Sequence, residues 1–149
     1  MKLKIRFLLL IIAAMPAIAH AQTIAGSWRR TANVLENADG TRKDVQQLLL
    51  KARPCMADIR YIFEVDGRHY MQLPPGCTVA DAAAVYTWKM NGNIITVTSK
   101  GEKQVPAGTA SYSVSFNGNS AIFTHVYTPA EKKDMHINAA KIIITYQRV

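Results

Sequence analysis

Cysteine, histidine and acidic residues are all scarce in this chain, which has 2 Cys, 4 His and 10 Asp plus Glu. Each shortage closes off a class of chemistry. Two sulfurs, Cys55 and Cys77, make a poor metal site on their own. His69, His125 and His136 are the only histidines after residue 21, and none forms a recognisable metal-binding pattern with another ligand type. There is no Gly-x-Ser-x-Gly elbow and no phosphate-cradling glycine loop. Glu64 and Asp66 lie close together but straddle a turn, so they make a poor acid–base pair. The chain is therefore not expected to be an enzyme, nor to hold a metal or cofactor. It also lacks internal repeats, linkers and low-complexity stretches, and nothing after residue 21 could span a membrane as a helix.

Positive charge is in surplus, with 18 Lys plus Arg and a formal net charge of +8. The surplus is scattered. Only Arg29-Arg30, Arg42-Lys43 and Lys132-Lys133 are adjacent pairs, and no aromatic stripe accompanies them. Nucleic-acid binding is not expected from such a pattern. Weak contact with an anionic envelope surface is compatible with it.

The first 21 residues read as a secretory signal. Lys2, Lys4 and Arg6 supply a basic start, residues 7–15 a short apolar run, and Ala19-His20-Ala21 a small-x-small cleavage site. Residues 22–149 are then the mature domain, exported to the periplasm or secreted, with Gln22 first. Setting aside the three basic residues of the leader lowers the net charge from +8 to +5. No cysteine stands near the cleavage site, so no lipid anchor is expected there. About 128 residues remain (22–149), enough for one domain with a core of its own.

What the mature part does contain is strand after strand. Gly26-Ser27-Trp28 leads into an alternating run in which Trp28, Arg30, Ala32 and Val34 interleave with Arg29, Thr31 and Asn33. Residues 44–50 read as a short helix stopped before Pro54, with Leu48-Leu49-Leu50 either capping a barrel opening or lying on its wall. Further strands are expected at 58–65, 68–73, 84–90, 94–99, 109–116, 121–127 and 140–148. Asp66-Gly67 and Asn91-Gly92 are two-residue hairpin signals, and Asn117-Gly118-Asn119 is another turn. Residues 101–108 and 128–138 read as polar loops. Eight strands joined mostly by tight turns predict an all-β fold, an eight-stranded antiparallel up-and-down barrel with one short helix. Closing it removes the exposed sheet edges.

Alternation assigns the faces. In 109–116, Ala110, Tyr112, Val114 and Phe116 oppose Thr and Ser residues and must face inward. Tyr86, Trp88 and Met90 take the inner side of their strand, and Tyr61, Phe63 and Val65 the inner side of theirs. In 121–127 neither Phe123, His125 and Tyr127 nor Ile122, Thr124 and Val126 is clearly the polar side, so the face stays open. The predicted lumen set is Tyr61, Phe63, Tyr86, Trp88, Tyr112, Phe116 and His125. A hydrogen-bonded core role fits His125 better than a catalytic one. Buried tyrosine hydroxyls need partners, so this set implies either a cavity or a solid core with each hydroxyl satisfied locally.

Cys55 and Cys77 flank the hairpin centred on Asp66-Gly67 at near-equal distances, which sets them side by side. An exported chain with an even cysteine count favours a disulfide between them; the alternative is two free buried thiols.

Gly26-Ser27-Trp28 on the first strand of such a meander resembles the Gly-x-Trp signature of lipocalins and other calycins. Arg148 on the last strand resembles their arginine that crosses over that tryptophan. Leu48-Leu49-Leu50, Cys55, the turn Phe63-Glu64-Val65-Asp66-Gly67 and Cys77 together are similar to small lipocalin-like domain proteins exported by bacteria. The resemblance spans residues 24–149. The chain departs from the large lipocalins in lacking a Thr-Asp-Tyr loop. The resemblance implies a lipocalin-like barrel, with Gly26, Trp28 and Arg148 in structural roles, that binds a small apolar or amphiphilic molecule in its lumen. It carries no catalytic residues. The competing expectation is a structural or protein-interaction barrel of the cell envelope with a filled core.

Overall fold

The computed structural model describes residues 23–80, 83–101 and 107–149. The expected signal segment 1–21, and the centre of the polar loop at 101–108, lie outside the described residues. In chain order the elements are β1 (Gly26–Asn37), β2 (Arg42–Asp44), α1 (Val45–Ala52), a 3₁₀ turn (Pro54–Asp58), β3 (Arg60–Phe63) and β4 (Arg68–Gln72). Then follow β5 (Tyr86–Asn91), β6 (Ile94–Lys100), β7 (Ala107–Asn117), β8 (Ser120–Val126), α2 (Pro129–Met135) and β9 (Ala139–Arg148).

Every pairing is antiparallel, neighbours in the chain are neighbours in the sheet from β3 to β9, and β9 pairs back onto β1. This closes an eight-stranded barrel. The ninth strand, β2, is a three-residue ribbon on the far half of β1, matching Val34 to Asp44 and Glu36 to Arg42. The seam between β4 and β5 is short, with only Arg68 opposite Thr87 and His69 opposite Tyr86. Trp88 strengthens it from the side: its backbone N–H donates to Gly67 O at 2.7 Å, and its indole N–H reaches Glu64 O at 3.0 Å and Arg68 O at 3.1 Å.

The interior divides into a solid end and a hollow end. The solid end holds Trp28, Ile24, Ile95 and Ala121, all fully buried, with Phe116, Trp88 and Met90 packed against that cluster. The hairpin turns after β3, β5 and β7 lie at this end, as does Arg148. The hollow end carries the 3₁₀ turn, the loop after β4 and α2.

Three sequence expectations change, and one open alternative is decided. Parity puts Val65 on the inner face, but β3 ends at Phe63 and the chain turns at Glu64, leaving Val65 91% exposed. The alternation of Trp28, Arg30, Ala32 and Val34 is broken by a bulge between Arg30 and Ala32. Cross-strand neighbours share a face. Arg30 therefore sits with inward Tyr146, and beyond the bulge Asn33 and Leu35 sit with inward Ile144 and Ile142. Ala32 and Val34 oppose Thr145 and Ile143 on the other face.

The leucines of α1 do not cap the barrel. Leu48 and Leu49 face solvent at 49% and 37% exposure, and the residue that α1 buries is Gln46. Finally, the stretch read as a loop at 128–138 contains α2. Its start is a capping box: the Thr128 hydroxyl accepts from Glu131 N at 3.2 Å, and the Glu131 carboxylate accepts from Thr128 N at 2.7 Å. Pro129 occupies the first turn, where its missing N–H costs nothing.

Candidate functional site

The hollow end holds a cavity of about 670 Å³ that opens to solvent. This lies within the range of about 300–1,000 Å³ typical of small-molecule sites. Its size follows from the side chains that β6 and β7 turn inward there. Val97 stands opposite Ala110, and Ser99 opposite Gly108. Small residues on two adjacent strands leave volume that large ones fill at the other end.

The lining is mainly apolar and aromatic. Of the expected lumen set, Tyr61, Phe63, Tyr86, Tyr112 and His125 border the cavity. Trp88 and Phe116 also point inward but do not border it. The indole N–H of Trp88 is committed to the β3–β4 turn, and its ring stands edge-on to Phe63 at 6.0 Å. Phe116 lies at the solid end with its ring 6.5 Å from Trp28. Both strands run from the cavity into the solid end, so inward parity alone does not put a residue on the cavity wall.

Sequence reasoning missed several residues of this wall, notably Arg30, Met56, His69, Met71, Glu131 and Tyr146. His69 faces Phe63 across the β3–β4 pair and stacks on it at 4.0 Å and 12°. Its Nδ1–H donates to Ile62 O at 2.9 Å. Burial holds its pKa below the ordinary histidine value, and the bond to Ile62 offsets this only in part. Burial likewise pushes up the Tyr112, Tyr127 and Tyr146 phenols, most strongly Tyr146. The cavity wall is therefore almost wholly neutral near pH 7.

The exceptions sit apart. Arg30 lies one inward step along β1 from Trp28. At the α2 side, His125 Nε2 meets Glu131 Oε1 at 3.0 Å while its Nδ1 meets Ser111 O at 2.8 Å. Both partners are acceptors. Glu131 itself is held below the ordinary carboxylate range, chiefly by its bonds to Thr128 and further by His125. This contact ties α2 to the barrel wall. No group of three His, Cys, Asp or Glu that could hold a metal occurs among the described residues.

The half-buried His69 makes a pH prediction. Its folded pKa lies below the unfolded value of about 6.5, so the unfolded chain takes up the proton first. Its contribution to stability is complete above about pH 6.5 and declines as pH falls from there through the lowered folded value. Urea unfolding between pH 5 and 8 should show this slope in the wild type. In His69→Phe, which keeps a ring against Phe63 and removes the titrating group, it should be reduced. Equal slopes in the two proteins would show that His69 is not protected from protonation.

At the opposite end, Trp28 Nε1–H donates to Ile24 O at 2.7 Å, and the Arg148 guanidinium lies 4.3 Å from the indole centroid. The arginine is anchored by Thr23 O at 2.7 Å and Ala25 O at 3.2 Å. Gly26 is needed here on two counts. Its φ is +138°, and a Cβ would fall 2.8 Å from Arg148 Nη1.

The chain matches no protein-family model and no curated protein sequence.

Proposed function

We propose that the protein binds one small, mainly apolar molecule in the hollow end of the barrel and has no catalytic role. The observation that carries this reading is the cavity of about 670 Å³, lined by Phe63, Met56, Met71, Val97, Phe123 and Ile142 with a few tyrosine hydroxyls among them. Apolar walls with few polar groups are the usual composition of a small-molecule site. A filled barrel serving only as an envelope scaffold would have no need of the small inward residues Ser99, Gly108 and Ala110. The reading also takes the protein to be exported, on the strength of residues 1–21 and the Cys55–Cys77 bond. Cleavage before Gln22 is expected in the intact mass of protein recovered from the cell envelope or medium.

A neutral naphthylamine probe, whose fluorescence rises in apolar surroundings, tests the site without favouring any charge. Binding with micromolar affinity is expected. Ala110→Trp should weaken it at least about tenfold, because an indole projecting from that position takes up space in the cavity that the probe's fused rings would occupy. A wild type that does not bind the probe, or an Ala110→Trp variant that binds it equally well, would defeat the reading.

A further inference from the structure

We propose that the inner part of the cavity is an anion site built on Arg30, and that the ligand is an amphiphile with a single carboxylate, seated head-inward. This rests on the lumen-binding reading above and specifies the chemistry of that same site.

Arg30 is a charged residue on the cavity wall. It is on the inward face of β1, directly opposite Tyr146, and borders the cavity. Its guanidinium lies over the Tyr61 ring, 5.2 Å from the centroid. Its Nε–H donates to Gln46 Oε1 at 2.7 Å. Gln46 is the one buried polar residue of the described core, at 1% exposure. It is held in place by the start of α1, where Asp44 Oδ1 accepts from Gln46 N at 2.9 Å. The guanidinium is thus positioned by a dedicated neighbour that uses up Nε, and among the described residues neither terminal nitrogen has a hydrogen-bond partner.

No carboxylate pairs with Arg30 among the described residues. A guanidinium keeps its charge at any accessible pH, and a charge facing an apolar space is costly unless an opposite charge meets it. The Tyr61 face and the Gln46 amide offset that cost only in part. The two terminal NH2 groups form a planar fork that matches the two oxygens of a carboxylate. The Tyr146 hydroxyl, kept protonated by burial, stands beside them as a further donor.

The rest of the ligand follows from the rest of the wall. Between Arg30 and the α2 side the lining is Met71, Phe123, Ile144, Ile142 and Val97, which suits an alkyl or aryl tail. At the α2 side stands Glu131, whose carboxylate is held in its charged form. A second negative group on the ligand would meet it, so a monoanion is favoured over a dianion.

The test is isothermal titration of the full-length folded protein with dodecanoate, dodecanol and dodecanedioate at pH 8. Dodecanoate is expected to bind at least about tenfold more tightly than dodecanol, as a charge-assisted bidentate pair allows, and more tightly than dodecanedioate. In Arg30→Gln the advantage of dodecanoate over dodecanol should fall to about twofold or less. Gln46→Glu gives a second route that leaves Arg30 in place: a carboxylate built in beside the guanidinium should pair with it and abolish the same advantage. Equal binding of dodecanoate and dodecanol by the wild type would overturn the anion site and leave the apolar cavity standing. An advantage that survives in both variants would overturn the assignment to Arg30. If neither compound binds, the lumen-binding reading fails and this one with it.

Discussion

Trp28→Ala should lower the free energy of unfolding by about 3–5 kcal/mol, the range for truncating large buried aromatics. The indole is 0% exposed at the closed end of the barrel, where β1 meets both β3 and β9. Alanine would leave a void beneath Phe116 and remove the donor that satisfies the buried Ile24 carbonyl. It would also take away the face over which Arg148 lies, an interaction that contributes about 0.5–2 kcal/mol in comparable pairs. Arg148→Ala, which keeps the indole, should therefore cost only about 0.5–2 kcal/mol. Urea unfolding followed by far-ultraviolet circular dichroism separates the two. A loss under about 1 kcal/mol for Trp28→Ala would place it with ordinary surface substitutions and show that the end of the barrel does not depend on it.

The barrel was legible in the sequence because one strand is unambiguous. Residues 109–116 set Thr and Ser against Ala, Tyr, Val and Phe, so the face follows from parity alone. Once that face is known, the turn signals at Asp66-Gly67, Asn91-Gly92 and Asn117-Gly118 order the neighbours into a meander. Parity gave no answer for β8, since Ile122, Thr124 and Val126 are about as apolar as Phe123, His125 and Tyr127. The structure decides it through pairing: Val114, which faces inward, stands opposite Phe123. The bulge after Arg30 had no signature, because neither Thr31 nor Ala32 is a residue that a bulge requires. The helix α2 had one, Thr-Pro-x-Glu, but a surface helix that buries none of its residues leaves no apolar stripe to confirm the start signal.

The candidate site was legible in half. Tyr61, Phe63, Tyr86 and Tyr112 are large, and their strands alternate, so their direction could be read. How far along the barrel each sits could not, and that is what separates them from Trp88 and Phe116. Arg30 shares parity with Trp28, the one sequence signal that could have marked it as an inward charge. Hydrophobic patterning gives no reason to keep it inside; the reason is Gln46, which arrives from α1 through tertiary packing. His69 and Tyr146 follow from partners already known, Phe63 across the hairpin and Arg148 two residues along the strand. The cavity volume depends on Ser99, Gly108 and Ala110, small residues whose importance appears only once their register is known.

Replacing both cysteines, as Cys55→Ala with Cys77→Ala, should cost about 3 kcal/mol on the chain-entropy account of a closed loop of this length. The bond joins residues 22 apart in sequence, with Cα atoms 5.7 Å from each other, at the ordinary spacing for a disulfide. It fastens the 3₁₀ turn, which does not belong to the sheet, to the loop that follows β4. Both segments reach the cavity, the first through Met56 and the second through Val79. They border the barrel where the β4–β5 seam has only two residue pairs, so the sheet itself gives them little support. The cost should therefore have a functional counterpart. The double variant should bind the neutral naphthylamine probe more weakly than the wild type under conditions where both are folded, since the two sides of the cavity are no longer held together. The Trp28 end, on the far side of the barrel, should keep its fluorescence environment. Urea unfolding and probe titration of the same samples read both effects. An unchanged unfolding midpoint would show that the bond does not constrain the chain. An unchanged probe affinity would show that Met56 and Val79 are positioned by packing alone.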